Sequence, residues 1–349
     1  MLLTPLNASK ARFQAGLFSA CLSLMLALPT QPHAGLFDWG RDKSAPTELT
    51  LATWNMEWLM TPGTYRDLAS RCTHQQPASD ERAFPCSPGK PMPPARSPED
   101  FAALARTAER LRQDLRADVV GLQEVDGPDA ARQVFKQGWK LDCFTQRAHP
   151  QKVGFAIRDG IPYRCNGDLN ALDIDGSTRS GADITLYPGT SQQVRILAVH
   201  LKSGCFDGRM DRRFSPCNRL QQQAPVVERW IDQRVRDGVD FAILGDFNRQ
   251  FERDARYPAG PDENAPVNLF QAWSDNEPAG AILMRATEGQ RYERCDANDH
   301  YKRYIDDLLI SQSLFNKKKG KRFTRLPYSA QDQDRQLSDH CPVVWSLKP

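Results

Sequence analysis

The sequence predicts an α+β fold with layered sheets, and three observations support this class. Apolar runs of strand length outnumber helical patterns, helical patterns fall between some of these runs, and no internal repeat is visible in the 349 residues. The hydrophobic content of 40% and the charged content of 26% are ordinary for a soluble globular chain. The length is sufficient to bury a sizeable core.

The first strand candidate is Glu48–Leu59, and a proline-rich loop, Thr61–Arg96, follows it. A helix is predicted next, because Ser97 is a suitable N-cap, Pro98 occupies the first helical position and apolar residues recur on one face. The later elements, in chain order, are a strand at 118–125, a short helix at 128–137, strands at 153–158, 182–187 and 194–201, a helix at 218–236, and strands at 240–248, 304–311 and 340–347.

The N-terminal residues 1–34 are typical of a secretory signal peptide. Lys10 and Arg12 precede a short apolar run, and small and turn-forming residues lead to a possible cleavage site after Ala34. A lipidated Cys21 and an uncleaved membrane anchor remain alternatives. Cleavage would give an exported protein, periplasmic or secreted, without stable membrane insertion.

The mature chain is expected to contain a short linker, 35–47, and a single domain, 48–349. Its net charge would be +1, because the signal peptide contains two basic residues and no acidic ones. Overall charge is therefore poor evidence for a polyanionic partner, and local clusters matter more. We expect a monomer, although the sequence does not determine the oligomeric state.

Eight cysteines follow the signal peptide, and an even number in an exported chain indicates disulfides. Eight cysteines allow 105 complete pairings. Short separations favour Cys72–Cys86 and Cys205–Cys217. No pair has CxxC spacing, which argues against a zinc finger.

Polar residues of catalytic type stand at the ends of six predicted strands. They are Asn55 and Glu57, Glu124, His200, Asp246 and Asn248, Asp306, and the pair Asp339 and His340. One such strand end is usually turn chemistry. Six in one chain favour a common site at one rim of a sheet.

Carboxylates without thiolates suit Mg²⁺ or Mn²⁺, and we expect Glu57, Glu124 and Asp339 to be the ligands. A divalent cation among carboxylates is suited to phosphate esters. Asp246 could orient or deprotonate an attacking water. Asp306 could hold His340 in its protonated form.

Two asparagines, Asn55 and Asn248, could bind phosphate through neutral hydrogen bonds. The segments "TWNMEW", "GLQEV", "VHLKS", "LGDFN", "YIDDLLIS" and "LSDHCPV" occur in the order expected of the endonuclease/exonuclease/phosphatase superfamily, which the chain resembles over about residues 49–347. The resemblance implies a four-layered α/β/β/α sandwich of the deoxyribonuclease I-like type with one metal-dependent phosphoesterase site.

By the same resemblance, Glu124 is the principal metal ligand, Asp246 and Asn248 orient water and phosphate, and Asp306 and His340 form a dyad. Spacing to "LLIS" favours Asp306 over Asp307 as the partner. His200 resembles the second histidine of secreted nucleases, a general acid for the leaving oxygen. Basic residues that follow it, Lys202, Arg212 and Arg213, are expected to contact a nucleic-acid backbone.

The function predicted from the sequence is an exported metal-dependent phosphodiesterase, most simply a nuclease that hydrolyses DNA and also RNA. Two alternatives remain open. One is an enzyme acting on inositol phosphates or phospholipids. The other is a catalytically idle binding or effector protein on the same scaffold.

Overall fold

The apolar runs of the sequence form two six-stranded mixed sheets. The computed structural model describes residues 48–73, 86, 92–211, 215–254, 256–258, 260, 266–295, 299–318 and 320–348. Within the chain, Ser44–Pro349 forms one compact unit. The predicted signal peptide, 1–34, and the predicted linker, 35–47, lie outside the described residues.

The first sheet contains β1 (Leu49–Leu59), β2 (Val119–Val125), β3 (Trp139–Asp142), β4 (Lys152–Arg158), β11 (Gly320–Arg325) and β12 (Val343–Lys348). Its spatial order is β11-β12-β1-β2-β4-β3. The second sheet contains β5 (Tyr163–Leu169), β6 (Gly181–Leu186), β7 (Val194–His200), β8 (Asp240–Asp246), β9 (Leu283–Arg285) and β10 (Asp306–Ser311), in the order β5-β6-β7-β8-β10-β9.

The two longest helices are α2 (Pro98–Gln113) and α4 (Ser215–Arg236). The others are α1 (Pro62–Thr73), α3 (Pro128–Ala131), α5 (Phe251–Asp254), α6 (Leu269–Trp273) and α7 (Gln312–Asn316). Ser97 caps α2 in a reciprocal capping box with Asp100, as its sequence position predicts.

Three apolar clusters separate the layers. The central cluster joins inward-facing residues of both sheets, such as Leu51 and Leu244. A second cluster packs the outer face of the first sheet on α2, and a third packs the outer face of the second sheet on α4. At Gly121 the sheets approach so closely that a Cβ would overlap the side chain of Leu244. The predicted four-layered α+β sandwich is therefore confirmed.

The segment Thr61–Arg96 is not loop throughout, because α1 occupies its first third. Thr61 Oγ1 accepts a hydrogen bond from the backbone N–H of Thr64, and Pro62 follows Thr61 in the first helical position. These are ordinary helix-start signals that its weak apolar periodicity concealed.

Four disulfides link the eight cysteines, and both predicted pairs, Cys72–Cys86 and Cys205–Cys217, are confirmed. Cys143–Cys165 connects the segment after β3 to β5, so it joins an edge of one sheet to an edge of the other. Cys295–Cys341 attaches the loop before β10 to the segment before β12. Such disulfides are typical of proteins in an oxidising compartment.

Among the residues that the structure describes, none of the helices is long and apolar enough to cross a membrane.

Candidate active site

Polar side chains from both sheets meet where four strands end and β10 begins. In the second sheet, the parallel pair β7 and β8 places His200 beside Asp246, and the antiparallel strand β10 places Asp306 beside Asp246. In the first sheet, Asn55 in the second half of β1 pairs with Gln123 of β2, just before the register of the two strands shifts. The register of the strands therefore brings the predicted residues to one rim.

Asn55 connects the two sheets through its side chain. Its Nδ2 donates to Asp246 Oδ2 at 3.1 Å and to Glu124 Oε1 at 3.3 Å, and its Oδ1 accepts from the backbone N–H of Glu57. The residue is only 1% exposed. These bonds give Asn55 the task of orienting carboxylates, and its predicted contact with substrate remains a prediction.

Glu57 and Asp339 form a close pair of acidic residues. Glu57 Oε2 accepts from the backbone N–H of Asp339 at 3.1 Å. Burial, and next the charge of Asp339, raise the pKa of Glu57 to about 7. Arg96 lies against this pair, and its guanidinium donates to the main-chain carbonyls of Met56, Glu57, Trp58 and Leu337.

The carboxylate of Glu124 is fixed by three donors. In addition to Asn55, Glu124 accepts from Gln151 Nε2 at 2.7 Å and from the backbone N–H of Trp58 at 3.3 Å. Glu57 and Glu124 also interact electrostatically. Glu57 therefore interacts with both of the other predicted metal ligands, Glu124 and Asp339, and the donor atoms of all three are oxygens.

His340 and Asp306 form a buried dyad. His340 Nδ1 lies 2.7 Å from Asp306 Oδ2. Burial alone would lower the pKa of His340, but the charge and hydrogen bond of Asp306 raise it well above the usual value. The neighbouring Asp307 points elsewhere and accepts from the backbone N–H and the hydroxyl of Thr287.

His200 and Asp306 lie on opposite sides of Asp246, because β7 and β10 flank β8. Its Nε2 is 3.5 Å from Asp246 Oδ2 and 3.6 Å from Glu124 Oε1. Burial, followed by the charge of Arg179, holds the pKa of His200 well below its usual value. Arg179 is held in place by hydrogen bonds to the carbonyls of His200 and Leu201.

Asp246 occupies the centre of the site. Burial, and then the charge of Asp306, raise its pKa to about 7. The backbone N–H of Asn248 donates to Asp246 Oδ1 at 2.8 Å, and the side-chain amide of Asn248 donates to the carbonyl of Leu201. Asn248 therefore fixes the turn after β8 around Asp246.

Tyr301 is a site residue that the sequence patterns did not indicate. Its hydroxyl lies 3.2 Å from Asp339 Oδ2, and its ring centroid is 5.0 Å from that of His340. The Cys295–Cys341 disulfide attaches its loop to the residue directly after His340. Its position follows from this covalent link, which spacing alone could not identify.

Three predicted site residues have left-handed backbone conformations. The φ angle is 41° at Glu57, 57° at Glu124 and 51° at Asn248. Asparagine adopts this region comparatively readily, whereas glutamate rarely does, and strain of the kind found at Glu57 and Glu124 is frequent at functional sites.

Of the three basic residues predicted to contact the substrate, Lys202 is the one that the structure describes. Lys202 Nζ donates to the carbonyl of Ser203, and burial together with the charges of Arg179 and Arg219 lowers the pKa of Lys202. The predicted contacts of Arg212 and Arg213 lie outside the described residues.

The donor groups fit a divalent cation in two ways. Glu57, Glu124 and Asp339 supply hard oxygen ligands of the kind that Mg²⁺ and Mn²⁺ prefer. A second cluster, Asp246, Asp306 and His340, has ligand atoms all within 4.8 Å of one another. We favour the first group, because a protonated His340 would oppose a cation.

A family model for the endonuclease/exonuclease/phosphatase family matches residues 52–340, from β1 to His340. This match spans most of the chain and all of the site residues described above. The chain belongs to the endonuclease/exonuclease/phosphatase family. Enzymes of this family hydrolyse phosphodiester bonds, and its nucleases require a divalent cation.

Two solved structures with TM-scores of 0.50 or more agree with this family's fold. Truncated TDP2 from Caenorhabditis elegans is 14% identical, with a TM-score of 0.53, and the match covers 86% of this chain and 98% of that one. A second structure of the same protein has a TM-score of 0.50 at 14% identity and 86% and 74% coverage. A 3'-5' exonuclease from Neisseria meningitidis is 15% identical, with a TM-score of 0.48 and coverages of 86% and 100%. A search of curated proteins finds no match.

Proposed function

We propose that this protein is an exported Mg²⁺-dependent nuclease that hydrolyses phosphodiester bonds in DNA and also in RNA. The observation that carries the proposal is the position of Asp246, between a neutral His200 and a protonated His340, beside three carboxylates suited to a cation. A bound cation would screen the phosphate and stabilise oxygens that gain negative charge.

The charge of the site favours a diester over a monoester. The site contains five carboxylates, and His340 is the cationic group that contacts two of them, Asp246 and Asp339. A phosphodiester carries one negative charge and a phosphomonoester carries up to two, so the repulsion is smaller for the diester. This difference supports phosphodiester cleavage.

The geometry suggests a revised role for His200. His200 Nε2 and Asp246 Oδ2 are 3.5 Å apart, so both groups face the same region. In an in-line displacement, the attacking water and the leaving oxygen lie on opposite sides of phosphorus. If Asp246 orients the water, His200 cannot also protonate the leaving oxygen. We therefore assign His200 to holding the water with Asp246.

In this reaction, the water oxygen bonds to phosphorus while Asp246 accepts a water proton. The bond to the leaving oxygen breaks with its electron pair, and the alkoxide takes a proton from solvent. His340 donates a hydrogen bond to a non-bridging phosphate oxygen, and Asp306 keeps it protonated for that purpose.

A substrate panel tests the proposal. Plasmid DNA, single-stranded RNA, an inositol phosphate and sphingomyelin should be incubated with Mg²⁺ or with chelator, and Glu124→Gln serves as the inactive control. We expect cleavage of nucleic acid with Mg²⁺ that falls steeply as salt is added, because phosphate contacts release counterions. Intact DNA and RNA together with hydrolysis of either other substrate would refute the nuclease assignment.

A further inference from the structure

A cleft of about 510 Å³ opens next to the candidate metal ligands, and Glu57 and Asp339 form part of its lining. Much of the remaining wall comes from Trp58, from α1 and from the segment before α2, and His300 also contributes. Resting on the proposed function, we propose that this cleft is the subsite for the leaving nucleoside of the cleaved diester.

The position of the cleft supports this assignment. Contacts run in sequence from His200 to Asp246 at 3.5 Å, from Asp246 to His340 at 3.9 Å, and from His340 to Asp339 at 3.7 Å. Asp339 in turn contacts Glu57. With the water held at the His200 end, in-line geometry directs the leaving oxygen towards the Asp339 and Glu57 end. The cleft begins at that end.

The walls of the cleft suit a planar, uncharged group. They include the rings of Trp58, Tyr65 and His300 and the prolines Pro93 and Pro94. The hydroxyl of Tyr65 donates to the carbonyl of Pro93 at 2.9 Å, which fixes this ring between α1 and the segment before α2. Nucleic-acid bases stack on aromatic side chains of this kind.

The charges and the size of the cleft also favour a nucleoside over other leaving groups. Glu57 and Asp339 at its inner end favour a leaving group that is uncharged next to the scissile oxygen over one with several phosphates on the same ring, such as an inositol polyphosphate. A nucleoside is neutral, and a volume of about 510 Å³ is in the range of small-molecule sites. The exposed Arg66 in the wall could contact the phosphate that follows the nucleoside in a longer strand.

The kinetic test uses oligonucleotides with a single hydrolysable diester, the other linkages being methylphosphonates. The base on either flank of the cleavable bond is replaced by an abasic sugar, and product analysis identifies the leaving flank. Loss of the leaving base should lower kcat/KM of the wild type about 5- to 150-fold, the range for one stacked base. Tyr65→Ala should remove this dependence, and Tyr65→Phe should retain most of it.

Tyr163→Ala is the matched control, because Tyr163 lies on the edge strand β5 and does not line the cleft. The proposal is wrong if Tyr65→Ala lowers kcat/KM equally for substrates with and without the leaving base, or lowers neither. Circular dichroism of each variant checks that the fold is intact.

A binding measurement separates this proposal from the proposed function. Adenosine and thymidine are tested in chelator by saturation-transfer NMR with the wild type and Tyr65→Ala. Binding that depends on Tyr65, in a protein that cleaves no nucleic acid, would show that the cleft binds nucleosides but would refute its leaving-group role together with the nuclease. Cleavage of DNA without nucleoside binding and without a base effect would refute the subsite alone.

Discussion

His340 Nδ1 and Asp306 Oδ2 lie 2.7 Å apart in a buried pair, whereas Asp307, one residue further, bonds to Thr287 on another side of β10. Asp306 accordingly belongs to the site, where it bonds to His340 and its charge raises the pKa of Asp246, and Asp307 stabilises the connection to β9. The two adjacent acids therefore have separable effects.

Replacing Asp306 should impair catalysis far more than replacing Asp307. We expect Asp306→Asn to lower kcat on the order of 10²–10⁴-fold, because His340 would lose the charge that keeps it protonated. Asp307→Asn should leave kcat within a few-fold of the wild type. Steady-state kinetics of both variants measures this, and the reverse ranking would show that Asp307 serves His340.

Glu124→Gln should abolish most activity and weaken divalent-cation binding without unfolding the protein. The substitution removes a charged ligand but keeps a side chain that can bond Gln151 and Trp58. Calorimetry with Mn²⁺ measures the binding directly. Glu288→Gln, at an exposed position, is the control. Unchanged Mn²⁺ affinity in Glu124→Gln would contradict the ligand assignment.

In chelator, the free energy of unfolding should decrease as the pH rises from about 4.5 to 7. Burial and neighbouring acids raise the pKa of both Glu57 and Asp246 to about 7, so the folded protein binds protons that the unfolded chain has released. Glu57→Gln should flatten this decrease, and Mn²⁺ should oppose it because a cation favours the ionised carboxylates. Urea titrations across this pH range provide the measurement.

His340 should extend the same trend to higher pH. Its folded pKa is raised above the unfolded value, so the stability from its pairing with Asp306 is complete below about pH 6.5 and is lost as the pH rises through the raised pKa. The difference between the free energies of unfolding of the wild type and His340→Gln, measured across this pH range, isolates the contribution of His340. Equal pH dependence in the two proteins would indicate a neutral His340.

Two disulfides should differ in their effects on activity and stability. Replacing Cys295 and Cys341 by Ala should lower both kcat and stability, since the bond fixes the Tyr301 loop beside His340. Replacing Cys143 and Cys165 should lower stability by roughly 3 kcal/mol in the chain-entropy model but leave kcat nearly unchanged. Equal kcat values for the two double variants would argue against a role of the loop in the site.

Tyr301→Phe should weaken Mn²⁺ binding about 10-fold or more, the lower end for groups that orient a metal ligand. The substitution removes the hydrogen bond to Asp339 and keeps the ring against His340. Tyr304→Phe is a matched control near the same loop, since its hydroxyl contacts the carbonyl of Arg291. If both variants bind Mn²⁺ equally well, Tyr301 does not orient Asp339.

The strands and the residues at their ends could be predicted from the sequence because both signals are local. An apolar run identifies β8, for example, and Asp246 stands at its end whatever the rest of the chain does. The four-layered order followed from the family resemblance, and the separate apolar clusters confirm it.

Residues that depend on tertiary contacts could not be found in this way. Arg96 lies in an irregular segment and acquires its role by reaching four carbonyls from two distant parts of the chain. Tyr301 is placed by a disulfide that was one of many possible pairings. The position of Arg179 depends on the pairing of β6 with β7, for which its local sequence gives no signal.

At Glu57 and Glu124, the left-handed backbone sets thermal stability against catalysis. Glycine adopts this conformation without the steric cost of a side chain, which is about 1 kcal/mol per residue. A library selected for thermal stability alone should therefore enrich glycine at these two positions and discard two carboxylates. Selection of a more thermostable variant would therefore require a simultaneous screen for catalytic activity.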